Sequence, residues 1–114
     1  MLPKENRLKK RKDFERVFKE GKGFKENFLF LKILENDLNK ARFGFIVSRK
    51  VSKKATLRNK IKRKLREAVR EKLKEVEKGM DGILVASPGL EKKDFWEIKE
   101  SINKIFQKAG ITKP

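Results

Sequence analysis

Between Arg49 and Arg66 the chain places ten Lys/Arg in eighteen residues and no acid, while Leu57, Ile61 and Leu65 recur every four residues. That recurrence predicts a helix over about 57–78, with Thr56 as N-cap and Gly79 as stop. Its apolar stripe of Leu57, Ile61, Leu65, Ala68, Val69, Leu73 and Val76 has to back onto a core. The acids of this helix, Glu67, Glu71, Glu75 and Glu77, all come late. A helix dipole favours the reverse order, each misplaced exposed charge costing about 0.3–1 kcal/mol at low salt. The isolated protein is thus less stable than it could be, and phosphates near the backbone N–H groups of the first turn would restore the balance. Asn59, Arg63, Arg66 and Arg70 fall at i, i+4, i+7 and i+11, on a stripe away from the core and flanked by Lys60. A solvated face usually mixes both signs, so an acid-free one points to a polyanion.

Composition narrows the partner. The 114 residues carry 33 Lys/Arg against 16 Asp/Glu, a net charge of +17. Self-repulsion on that scale favours a bound polyanion, and nucleic acid is the obvious one. The length predicts a single RNA-binding domain over 1–114, with the polar stretch 1–9 expected to be flexible. No run is long and apolar enough to span a membrane, and "MLPKENRLKKRKDF" lacks the apolar segment of a signal peptide, so the expected location is the cytoplasm. Zero cysteines exclude disulfides and thiolate chemistry, and zero histidines remove the commonest general base.

Phe14, Val17 and Phe18, at i, i+3, i+4 before Gly21, predict a short helix. "FLFLKILE" (28–35) reads as a strand and "ARFGFIVS" (41–48) as its hairpin partner, with Phe43, Phe45 and Val47 on one face. "DGILVAS" (81–87) reads as a buried strand, and 91–108 as a last helix with Phe95, Ile98, Ile102, Ile105 and Phe106 inward. The elements follow the order helix, two or three strands, helix, strand, helix, and with three strands this is α-β-β-β-α-β-α, an α+β two-layer sandwich.

Phe28, Phe30 and Lys32 would share one strand face. Their spacing fits a platform for stacking single-stranded bases and fits core packing equally. No phosphate loop, HExxH or GxSxG signature occurs, and Asp13, Asp37, Asp81 and Asp94 are isolated in sequence. No catalytic residue and no metal ligand is therefore assigned to the chain. A ribosomal or other structural RNA-binding protein and a free-standing nuclease remain as alternative readings.

"RNKIKRKLRE", preceded by "VSRKVSKKATL", resembles the signature of the bacterial ribonuclease P protein subunit, and the N-terminal "NRLKKRKDFERVFKEGK" extends the likeness over most of the chain. The family motif begins Arg-Asn-Arg; here the third position is Lys60, which keeps the charge and loses the planar guanidinium fork. The resemblance implies a small partner of a catalytic RNA that removes the 5′ leader of precursor tRNA, with the chemistry and the Mg2+ held mainly by the RNA. It implies a left-handed β-α-β crossover, which departs from the right-handed default. It further implies that Arg49, Lys50, Lys53, Lys54, Arg58, Asn59, Lys60, Lys62, Arg63 and Arg66 meet the catalytic RNA. Phe14, Phe18 and Phe30 would meet the leader, and Lys32 stands where the family usually has a stacking tyrosine. No obligatory protein partner is implied.

Overall fold

The computed structural model describes residues 2–112; Met1, Lys113 and Pro114 lie outside the described residues. Its elements are α1 (Arg11–Glu20), β1 (Lys22–Glu26), β2 (Leu29–Glu35), β3 (Arg42–Val47), α2 (Ala55–Lys72), β4 (Met80–Ala86) and α3 (Phe95–Ala109), in the expected order. Short 3-10 turns occupy Lys4–Asn6, Leu73–Glu75 and Leu90–Lys92.

The strands form one sheet in the order β1-β2-β4-β3. β1 and β2 make an antiparallel hairpin that turns at Asn27, whose φ of 51° lies in the left-handed region that asparagine tolerates. β4 pairs antiparallel with β2 and parallel with β3. The hairpin expected between residues 28–35 and 41–48 is therefore not formed, because β4 lies between them. The reason is burial: β4 is covered on both faces, and a strand that apolar belongs at a sheet centre. β3 and β4, being parallel, need a long crossover, and α2 supplies it.

On one face of the sheet Leu29, Leu31, Phe43, Val47 and Leu84 pack against Ile61, Leu65 and Val69 of α2 and Ile98, Ile102 and Phe106 of α3. The Phe43 and Phe106 rings stack with centroids 5.5 Å apart. On the other face Val17 of α1 packs with Leu8 and Ile83, flanked by Phe14, Leu34, Ile46 and Val85. Two helices thus form a full layer, and α1 covers part of the opposite side.

Several boundaries differ from expectation. α2 begins earlier than Leu57 would suggest, with Lys54 rather than Thr56 at the N-cap and no side chain capping it. This first turn stands clear of the core, so Leu57 is 39% exposed and burial starts at Ile61. The helix stops at Lys72, where the 3-10 turn Leu73–Glu75 lets Val76 drop into the core. α3 starts at Phe95 because Asp94 and Glu97 form a capping box.

Residues 2–9, expected to be flexible, are packed instead. Leu2 and Leu8 are buried, Asn6 Nδ2 donates to the Ala41 carbonyl at 2.7 Å, and Leu8 N donates to the Phe43 carbonyl at 2.9 Å. Arg7 bridges Phe43 in parallel fashion. β3 ends the sheet with open backbone groups, and this segment satisfies part of that edge.

Candidate nucleic-acid interface

A groove of about 280 Å³ opens over the outer edge of β3. Its floor is Phe43, Gly44 and Phe45; Phe14 of α1 and the segment Arg7–Lys9 form one side, Lys62 and Arg66 of α2 the other. The lining holds four cations and no carboxylate. Phe14 lies so close over Gly44 that a Cβ there would come within 2.3 Å of the ring, so only glycine lets this aromatic seat on the strand. Of the three phenylalanines ascribed to the leader, Phe14 lines the groove, whereas Phe18, 39% exposed, and Phe30 lie outside its lining. The Phe30 ring sits over Gly23 of the neighbouring strand, where a Cβ would meet it at 2.8 Å.

The platform of Phe28, Phe30 and Lys32 does not assemble. Phe28 belongs to the β1–β2 turn, so strand alternation does not reach it; it packs toward the core, under the Lys93 ammonium at 5.1 Å. Lys32 Nζ donates to the carbonyls of Phe18 (2.9 Å) and Gly21 (3.2 Å), at the C-terminal end of α1. A cation there satisfies carbonyls that the helix leaves open and complements its dipole.

The cations of the acid-free stretch divide by position. Arg49 and Lys50 are exposed on the turn after β3, which the Ser48 hydroxyl and the buried Val51 hold in place. Lys53 and Lys54 are exposed just before α2. Arg58 turns back, its Nη1 donating to the carbonyls of Ser52 (2.9 Å) and Lys53 (3.0 Å), so part of its role is to fold this loop. Asn59, Lys60 and Arg63 are exposed, while Lys62 and Arg66 are half-buried at the groove. Arg70, which shares their stripe, pairs with Glu67 at 3.0 Å. Arg7, Lys9 and Phe45 also line the groove, beyond the residues expected from the sequence. The "NRLKK" run was the available signal for the first two; Phe45 differs from its core-facing neighbours only by its place on an edge strand.

Asp81 locks α1 to the sheet. Wholly buried, it accepts from Arg42 Nε and Nη2 (2.8 Å each), Asn36 Nδ2 (2.8 Å) and Arg16 Nη2 (3.2 Å). Asp13 lies 3.5 Å from Arg42 Nη1. Burial pushes the Asp81 carboxyl up, but the hydrogen bonds from Arg42 and Asn36 and the charges of Arg42 and Arg16 outweigh it, leaving the group below the ordinary aspartate range. These partners also occupy the carboxylate. Among the described residues no three His, Cys, Asp or Glu side chains converge as metal ligands.

An aromatic groove edged by cations, beside a helix whose opening turns are all positive, defines a small basic α+β protein of the RNA-binding class. A model of the Ribonuclease P family matches residues 2–110. The chain belongs to that family, the protein component of the ribonucleoprotein that processes the 5′ end of precursor tRNA. It is 37% identical to the ribonuclease P protein component of Clostridium botulinum (strain Loch Maree / Type A3), over 95% of this chain and 97% of that one. The Dictyoglomus turgidum protein is 39% identical, over 98% and 95%. The fold of this chain is similar to the RNase P protein structure from Staphylococcus aureus, with a TM-score of 0.87 and 28% identity over 94% of this chain and 97% of that one.

Proposed function

We propose that the chain divides its work between two adjoining surfaces. Arg49, Lys50, Lys53, Lys54, Arg58, Asn59, Lys60 and Arg63 meet the catalytic RNA through its phosphates. Lys62 and Arg66 belong to the same surface and reach from it into the groove. Phe14, with Phe18 and Phe30 nearby on the α1 side of the sheet, receives the unpaired 5′ leader. The observation that carries this reading is the lining of the groove: four cations, aromatic rings and no carboxylate, a combination suited to a single strand whose bases stack while its phosphates are neutralised. Mg2+ and the hydrolytic chemistry stay mainly with the RNA. The place of work proposed for the ribonucleoprotein is the cytoplasm; no described helix is long and apolar enough to cross a membrane.

The test compares the reconstituted ribonucleoprotein on precursor tRNA and on mature tRNA. Phe14→Ala, Phe18→Ala and Phe30→Ala should each weaken precursor binding, by about 1–3 kcal/mol for a stacked base, with mature tRNA hardly affected. Gly44→Ala should copy Phe14→Ala, since the added methyl displaces the ring. Equal losses on both substrates would assign these residues to folding or general RNA contact.

A further inference from the structure

Away from the groove, α2 and α3 part to leave a cleft of about 270 Å³. α3 contributes Trp96, Lys99, Glu100 and Asn103, at i, i+3, i+4 and i+7; α2 contributes Ala68, Glu71 and Lys72, at i, i+3 and i+4, and Glu75 follows on the 3-10 turn that continues it. These are two facing helical stripes, and the small side chain of Ala68 leaves the space between them open. Trp96, at 67%, is the most exposed large apolar side chain of the described residues.

Most of the charge in the cleft is already matched. Lys99 bonds Glu71 at 2.8 Å and Lys72 bonds Glu75 at 3.3 Å. Two groups remain. Glu100 has no ion-pair partner among the described residues, and Asn103 Oδ1 is buried without a hydrogen-bond partner. Carboxylate and amide oxygen both accept and neither donates, and they are neighbours on one helix face. Three carboxylates against two ammonium groups leave the lining with one negative charge, a local inversion in a chain of +17. The indole face already draws a cation: Lys99 Nζ stands 5.1 Å from its centroid.

A group that satisfies Glu100 and Asn103 Oδ1 has to donate, carry positive charge and be flat enough to lie along an indole. Guanidinium meets all three conditions; an ammonium is not planar, and a nucleotide brings acceptors and negative phosphate. We propose that the cleft is a receptor for a guanidinium group, with Trp96 stacking against it, Glu100 neutralising it and Asn103 Oδ1 accepting one of its N–H groups.

Trp96 is the single tryptophan and the chain has no tyrosine, so intrinsic indole emission reports on this cleft alone. The full chain is titrated with N-methylguanidinium, a Gly-Arg-Gly amide peptide, methylammonium and adenosine monophosphate. The expected result is a saturable change with the two guanidinium probes and none with methylammonium at equal concentration. Tighter binding of the peptide than of N-methylguanidinium assigns the source to an arginine displayed on a protein segment; equal binding assigns it to a small free guanidinium. Glu100→Gln and Asn103→Ala should each weaken binding by about tenfold, the scale of a hydrogen bond to a charged group, with the thermal midpoint unchanged. Should Asn103→Ala fail to fold, Glu100→Gln, on an exposed side chain, decides alone. Non-saturating responses, variants that bind like the parent chain, or saturation by adenosine monophosphate in place of guanidinium would each overturn the proposal.

Discussion

At the scale of single residues, the fold depends on one carboxylate among a surplus of cations. Asp81 is wholly buried and binds Arg42 through two parallel hydrogen bonds, the strongest geometry available to that pair. Its folded-state pKa lies below the unfolded value of about 3.9, so its stabilisation is complete above that pH and is lost as pH falls through the folded value. In Asp81→Asn the acid-side decline should be shallower. The variant should also be less stable at neutral pH by about 3 kcal/mol, because Arg42 and Arg16 lose their buried counter-charge and only Asp13, beside Arg42, is left to answer them. Thermal midpoints across a pH series measure both effects; parallel acid limbs in the two proteins would show that another group carries the dependence.

At the scale of elements, α2 serves as both crossover and ligand, and its two sides can be tested apart. Under the proposed division, Lys60→Gln with Arg63→Gln should weaken assembly with the catalytic RNA and flatten its salt dependence, by a slope of roughly 0.7–0.9 for each phosphate no longer neutralised. Lys62→Gln with Arg66→Gln should in addition reduce the preference for precursor over mature tRNA. Filter-binding titrations over a range of salt separate the two outcomes, and identical behaviour of the two pairs would remove the division. The cationic half of α2 was legible from residues alone, because an acid-free run at a helix start contradicts the dipole and needs an outside reason. Strand pairing was less legible. "FLFLKILE" and "ARFGFIVS" look like neighbours in sequence, yet the deciding fact is that "DGILVA" is apolar on both faces and takes the place between them. β1, "KGFKE", carries almost no apolar pattern because it is an exposed edge. The groove needed the fold as well: Arg7, Phe14, Phe45 and Lys62 come from four different segments, and nothing in local spacing brings them together.

At the scale of the whole molecule, a charge of +17 on 114 residues makes stability a function of the surrounding anions. Multivalent anions that bind the native basic surface stabilise by mass action, over and above screening. Sulfate or phosphate should therefore raise the unfolding midpoint well beyond chloride at matched ionic strength. Coincident melting curves in the two salts would argue against any preformed anion site. The position of β4 carries a different consequence, in time. The strand that joins the two halves of the sheet is the last one translated, so while residues 80–86 are still inside the ribosome, the β1–β2 hairpin and β3 have no shared neighbour. Pairings of such long sequence separation form late and together. An RNA that captured the nascent basic helix would hold an element whose supporting strand had not yet been made, so the order of synthesis places completion of the sheet before productive assembly.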